Sequence, residues 1–141
     1  MSSQINVDTI VDKSGSGGTN VKVANTSTYV SDGGAVTQNT VQGLAKYWVD
    51  FNGSSTVATR DSFNHSSLSD GGTGIYTISY SNSFSNANYC AACGQDNNAG
   101  SIAVPRESTD LGTGSTVVRT TNGSSGSDQT YIHVALLGDL A

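Results

Sequence analysis

Between Leu44 and Tyr80 the side chains alternate. Tyr47, Val49 and Phe51 fall on one side of an extended segment, and Tyr76, Ile78 and Tyr80 on one side of another. A period of two in runs rich in β-branched and aromatic residues, bounded by Asn, Gly and Ser, is a strand signal. The stretch also holds the single Trp and two of the three Phe. It therefore predicts the seed of an all-β fold, an antiparallel β-sandwich of jelly-roll-like type, with the rest of the chain packed onto it.

Composition narrows the class further. Charged residues make up 12% of the 141 positions, against about a quarter in ordinary globular domains. A disordered acidic chain carries more charge and fewer aromatics, so global disorder is excluded. Glu, Lys, Leu and Met are scarce, which disfavours helices. The net charge is −5, and the six basic residues form no patch, which argues against nucleic-acid binding. The opening Met1-Ser2-Ser3-Gln4 lacks the apolar segment of a signal peptide, and no run approaches the ~20 apolar residues of a membrane helix. These features predict a soluble chain made in the cytoplasm and not inserted in a membrane. A Ser/Thr/Gly/Asn-rich β surface without a leader fits a secreted or virion-exposed protein.

Read in order, Gln4 to Val11 alternates as a short strand, Lys13 to Thr19 is a Gly-rich turn, and Val21 to Val30 holds two small apolar patches. Ser31-Asp32-Gly33-Gly34 is a second turn signal, and Val36 to Gly43 is ambiguous. These first residues are too poor in large apolar side chains to build a core alone, so a partner chain is expected for them. The expected division is an arm over residues 1–43 and a sandwich over residues 44–141. From Leu44 onward about seven strands recur at the ~10-residue spacing of sandwiches, with residues 65–73 read as a polar turn. Loops at Ser66–Thr73, Gln95–Gly100, Leu111–Gly114 and Asn122–Asp128 are candidates for ligand contact.

Residues able to carry chemistry are few. Cys90 and Cys93 form a C-x-x-C, but no βαβ setting for a redox motif surrounds them, and a structural zinc site needs four ligands. Residues three apart on a strand face opposite ways, so free thiols that bind no metal are expected. His65 lies close to Asp61 and Ser62, yet nothing resembles a nucleophile elbow. His133 stands among apolar neighbours in the last strand and reads as a packed or interface residue. Asp96-Asn97-Asn98 lacks the Glu that closes a calcium loop and reads as a turn. Asp50, Asp61 and Asp70 are the carboxylates a glycosidase could use, each with a turn or solvent explanation.

Three side chains remain as candidate interface or ligand contacts. Arg60 and Asp61 sit in mid-strand and either form ordinary surface ion pairs or pair across an interface between identical chains. Arg119 and the Arg106-Glu107 pair are the other central charges. Trp48 alternates with Lys46 and Asp50, opposite Tyr47, Val49 and Phe51. There it can stack on a sugar, anchor a subunit, or lie under a loop as satellite core. No catalytic residue, cofactor or metal is expected.

The motifs Lys46-Tyr47-Trp48-Val49-Asp50-Phe51-Asn52-Gly53, Arg60-Asp61-Ser62-Phe63-Asn64 and Asp70-Gly71-Gly72-Thr73-Gly74-Ile75-Tyr76-Thr77-Ile78 resemble a module of tail-fibre-like proteins of bacteriophages, marine ones in particular. Ile5-Asn6-Val7-Asp8-Thr9-Ile10-Val11 is similar to the openings of such proteins, where that end attaches to the virion. Val134-Ala135-Leu136-Leu137-Gly138-Asp139 is similar to the module's last strand. The resemblance implies a homotrimeric virion protein without enzyme chemistry, its arm bound to other virion proteins and its head presented to host-surface glycans. A capsid decoration protein that stabilises the shell and recognises no receptor is the alternative. The chain is shorter than a long fibre and has no shaft repeat.

Overall fold

A computed structural model describes residues 28–30, 37–39, 43–96, 102–105 and 108–141. The chain divides into two compact units, Met1–Val41 and Gln42–Ala141. In the first, β1 (Thr28–Val30) pairs antiparallel with β2 (Thr37–Asn39), on either side of the Ser31–Gly34 turn signal. The strand expected at Gln4–Val11 and the turn at Lys13–Thr19 lie outside the described residues, as do Asn97, Asn98, Arg106 and Glu107.

The second unit is an antiparallel β-sandwich. Its strands are β3 (Ala45–Asn52), β4 (Ala58–Phe63), β5 (His65–Gly72), β6 (Ile75–Tyr80), β7 (Cys90–Gln95), β8 (Ile102–Val104), β9 (Ser115–Thr121) and β10 (Ile132–Leu137), with one 3-10 turn at Ser108–Asp110. One sheet has the order β4-β3-β10-β7 and the other β5-β6-β9-β8. Both are antiparallel throughout. The chain crosses from the first sheet to the second at Asn64, which takes a positive φ of 59° and ties the corner together. Its Nδ2 donates to the carbonyls of Lys46 and Asn82, each at 3.0 Å.

The two inner faces supply the core. From β3 come Tyr47, Val49 and Phe51, and from β6 come Tyr76, Ile78 and Tyr80. Val118 of β9 and Ile132, Val134 and Leu136 of β10 complete the two layers, with Phe84 and Tyr89 closing one end. Burial alternates strictly along β6 and β9, as the period of two requires. The rings meet edge-on, Phe51 against Tyr76 at 5.2 Å and Tyr47 against Tyr80 at 4.9 Å, the arrangement their quadrupoles favour. A polar thread runs through this interior. Tyr80 and Tyr89 hydroxyls both bond the Thr116 hydroxyl, and Tyr89 donates to the Gly112 carbonyl at 2.9 Å. Gly53 is dictated by packing, because a Cβ there would come within 2.5 Å of the Tyr76 hydroxyl.

Two expectations are corrected. The polar stretch after Asn64 is a strand rather than a turn, so the sandwich has eight named strands among the described residues. The candidate loop Ser66–Thr73 falls almost wholly within β5. β5 lies at a sheet edge and pairs with β6 through its backbone, and Leu68 is its one large apolar side chain. Both its faces are largely solvated, so it carries no alternation to read. Lys46 is the second correction. Alternation with Trp48 predicts it on the polar outer face, yet it is buried, and its ammonium donates to the Leu44 carbonyl at 3.0 Å. The alternation of β3 breaks down at its first turn of pleat, where a long aliphatic stem can fold under the strand end.

Candidate functional site: the outer face of the first sheet

Strand register decides which side chains share the outer face. Trp48 of β3 stands opposite Phe63 of β4 and Ala135 of β10, and Ala135 stands opposite Ala92 of β7. The next outward row is Asp61, Asp50, His133 and Gly94, from the same four strands. Two large rings thus stand beside a pair of small residues. Trp48 is 37% exposed and Phe63 53% exposed, while Ala135 of β10 and Ala92 and Gly94 of the edge strand β7 leave the face low on the other side of Trp48. The result is an open depression of about 460 Å³ lined by Trp48, Asp50, Ala92, Gly94, His133 and Ala135.

The polar rim is held in place. Arg60 donates to Asp50 Oδ1 at 3.2 Å and to the Thr130 carbonyl, and its guanidinium lies 4.1 Å from the centre of the Tyr131 ring. His133 Nδ1 sits 3.5 Å from the same Asp50 oxygen. The carboxylate is thereby oriented through one oxygen, Oδ1, by the guanidinium and the imidazole. Arg60 and Asp50 are each 31% exposed, so solvent screens their attraction and the pair is worth about 0–1 kcal/mol. Its contribution is to position the carboxylate rather than to stabilise the fold.

Of the expected contacts, Trp48 and Asp61 lie on this face and Arg60 beside it. Arg60 is engaged within its own chain. Asp61 is exposed and accepts the backbone N–H of Ser62 at 2.8 Å. Between Asp50 and Phe51 the β3–β4 register slips by one residue, and Arg60 occupies the bulge. That displacement lets two consecutive residues, Arg60 and Asp61, approach the same carboxylate row.

The other candidates lie elsewhere. Of the two readings of His133, packed or interface, the packed one is corrected: 58% of its side chain is accessible, because it alternates with buried Ile132 and Val134. His65 does not meet Asp61 or Ser62. Its Nδ1 lies 2.8 Å from the Tyr47 hydroxyl and its Nε2 3.1 Å from Thr59 Oγ1, so both ring nitrogens are occupied by neutral partners. Partial burial lowers its pKa from the ordinary histidine value. Cys90 and Cys93 are unbonded and face opposite sides of β7. Cys90 is exposed, while Cys93 packs against the core, and burial followed by the neighbouring Cys90 pushes its thiol up to about 11. Asp96 caps backbone, its two oxygens accepting the N–H groups of Thr130 and Tyr131 at 3.0 and 2.7 Å. Asp70 belongs to the second sheet and accepts the Gly72 N–H at 2.8 Å. Among the described residues no group of three His, Cys, Asp or Glu is placed to hold a metal.

Asp50 and Asp61 are the one pair of glycosidase candidates that the fold makes neighbours. They stand on an open face, one tied to Arg60 and the other to its own strand's backbone. The participants that sequence reasoning missed are Ala92, Gly94, Ala135 and Tyr131. A signal existed for Ala135, a small outward residue inside the apolar run Ile132–Leu137, but its position opposite Trp48 depends on register.

Comparison of the chain with protein-family models, curated proteins and solved structures finds no match.

Proposed function

We propose that the chain is a phage virion structural protein, a homotrimeric fibre or appendage subunit. In this reading residues 1–43 attach it to other virion proteins, and the sandwich is a head that adheres to host-surface glycan without cleaving it. The observation that supports adhesion is the depression beside Trp48. An exposed indole can cover the C–H face of a pyranose, small residues beside it leave room for the ring, and Asp50 Oδ2 and His133 Nε2 offer hydrogen-bonding partners for hydroxyls. The acidic rim and the net charge of −5 favour neutral sugars over anionic ones. Support for the virion setting is the sequence resemblance of the central and terminal motifs.

The test is a glycan array probed with the native protein and with Trp48→Ala, alongside immunogold imaging of particles. Binding of a neutral glycan that is lost in the variant, with label at the particle surface, is the expected result. Particle label without any glycan binding favours the decoration reading, and absence from particles overturns both. A glycan cleaved rather than bound would revive the hydrolase alternative built on Asp50 and Asp61.

A further inference from the structure

The chain contains two Asn-Gly steps, Asn52-Gly53 and Asn122-Gly123, and the fold treats them oppositely. Asn-Gly is the dipeptide most prone to spontaneous rearrangement, because glycine has no Cβ to crowd its own nitrogen. The glycine nitrogen attacks the asparagine Cγ, the side-chain amide nitrogen leaves as ammonia, and a succinimide forms. Solvent water then opens the ring at either carbonyl, giving aspartate or isoaspartate. No oxidant, reductant or enzyme enters the balance.

At the first step both reacting groups are restrained. Asn52 Nδ2 donates to the carbonyls of Ser54 and Thr56 at 2.7 and 2.8 Å, and Oδ1 accepts the Ser54 N–H at 3.3 Å. The attacking nitrogen, on buried Gly53, donates to the Gln129 carbonyl at 2.9 Å. Cyclisation there requires that several hydrogen bonds open together and that the packing around Tyr76 loosens.

At the second step little holds the reactants. Asn122 and Gly123 are both exposed. Among the described residues nothing bonds Asn122 Nδ2, and its Oδ1 accepts only a long 3.3 Å bond from Ser125 N. The Gly123 N–H reaches no closer acceptor than Thr121 Oγ1 at 3.5 Å, and Gly123 takes a φ of +99°. The turn lies outside the Thr121–Gly126 bridge and is closed by the Asn122 backbone N–H, which donates to the Ser125 carbonyl at 3.1 Å and leaves the Asn122 side-chain amide and the Gly123 nitrogen out of that bond.

We propose that Asn122 is a self-modification site, converting to aspartate and isoaspartate in the folded protein while Asn52 is preserved. Each conversion adds one negative charge to the Asn122–Asp128 loop, and the isoaspartate product adds a backbone carbon to its turn. This inference is independent of the proposed adhesive role.

The experiment ages the native protein in mildly alkaline buffer at physiological temperature. Peptide mapping with fragmentation that separates aspartate from isoaspartate then follows both sites. A parallel sample is held in concentrated urea. Conversion at Asn122 should exceed that at Asn52 by at least about tenfold in the native sample, since each bond that must open first slows attack by roughly two- to tenfold. In urea the two rates should converge. Equal native rates, an unchanged Asn122, or an Asn52 that stays slow in urea would each overturn the proposal. Gly123→Ala should slow conversion at Asn122 in urea as well as in buffer, and an unaltered rate would contradict attack by that nitrogen.

Discussion

Phe51, Trp48 and His65 make separable statements at the level of single side chains. Phe51 is fully buried against Tyr76, so Phe51→Ala removes a packed ring and should cost about 3–5 kcal/mol. A domain of this size has about 5–15 kcal/mol in total, and thermal melts should show a large drop. Trp48→Ala, on the outer face, should cost about 1 kcal/mol or less and abolish glycan binding if the adhesive reading holds. Comparable destabilisation by both substitutions would refute the assignment of faces. Lys46→Ala is unsuitable as a neutral control, because burial gives Lys46 a packing cost of its own. His65 has a depressed pKa in the folded state. As pH falls below its unfolded value of about 6.5, the unfolded chain takes the proton first, so stability is complete above that pH and declines below it. The melting temperature should therefore fall on acidification, and less steeply in His65→Gln. An equal slope in the variant would show that other groups govern the effect.

Elements differ in how they are specified. β6 and β9 carry their burial in their own alternation, whereas β5 exists because β6 offers it a hydrogen-bonding edge. The β5–β6 hairpin is fastened at its turn, where Asp128 Oδ1 accepts the Gly74 N–H at 2.7 Å and the Tyr76 hydroxyl at 2.9 Å. Gly74 has a φ of +68°, and a Cβ there would press within 2.6 Å of the Ser127 nitrogen. Gly72 also has positive φ, at +111°, but its Cβ would meet nothing within 4 Å. Both alanine substitutions incur backbone strain of about 1–3 kcal/mol, and only Gly74→Ala adds a backbone clash. Chemical denaturation should therefore rank Gly74→Ala as clearly the less stable variant. The edge strand β4 guards against pairing with foreign strands through its bulge and its charges at Arg60 and Asp61. Subunit contact through that edge is accordingly disfavoured.

At the scale of the whole molecule, the compact unit Gln42–Ala141 contains every residue of the hydrophobic core described above. Deleting residues 1–41 should leave a cooperatively folded β protein, and loss of its far-UV β signal would show that the sandwich depends on the preceding segment. The trimer proposed for the intact chain predicts a threefold mass by light scattering at micromolar concentration. A monomer mass would remove that part of the proposal, and a trimer that persists after the deletion would move its contacts into the sandwich.

The all-β class and the inward set Tyr47, Val49, Phe51, Tyr76, Ile78 and Tyr80 were legible from the sequence alone, because alternation is a local property that survives without knowledge of partners. Trp48 was legible as an outward ring for the same reason. β5 was not, since an edge strand solvated on both faces has no period to detect. Lys46 was misjudged because the end of a strand lets a long side chain fold under it. The Arg60–Asp50–His133 array and the depression floored by Ala92, Gly94 and Ala135 join residues up to 85 positions apart. Their meeting is decided by β10 lying between β3 and β7 in one register, and by the bulge that displaces Arg60. Side-chain periodicity fixes which way each residue faces, but only the hydrogen-bonded pairing of distant strands decides what it faces beside.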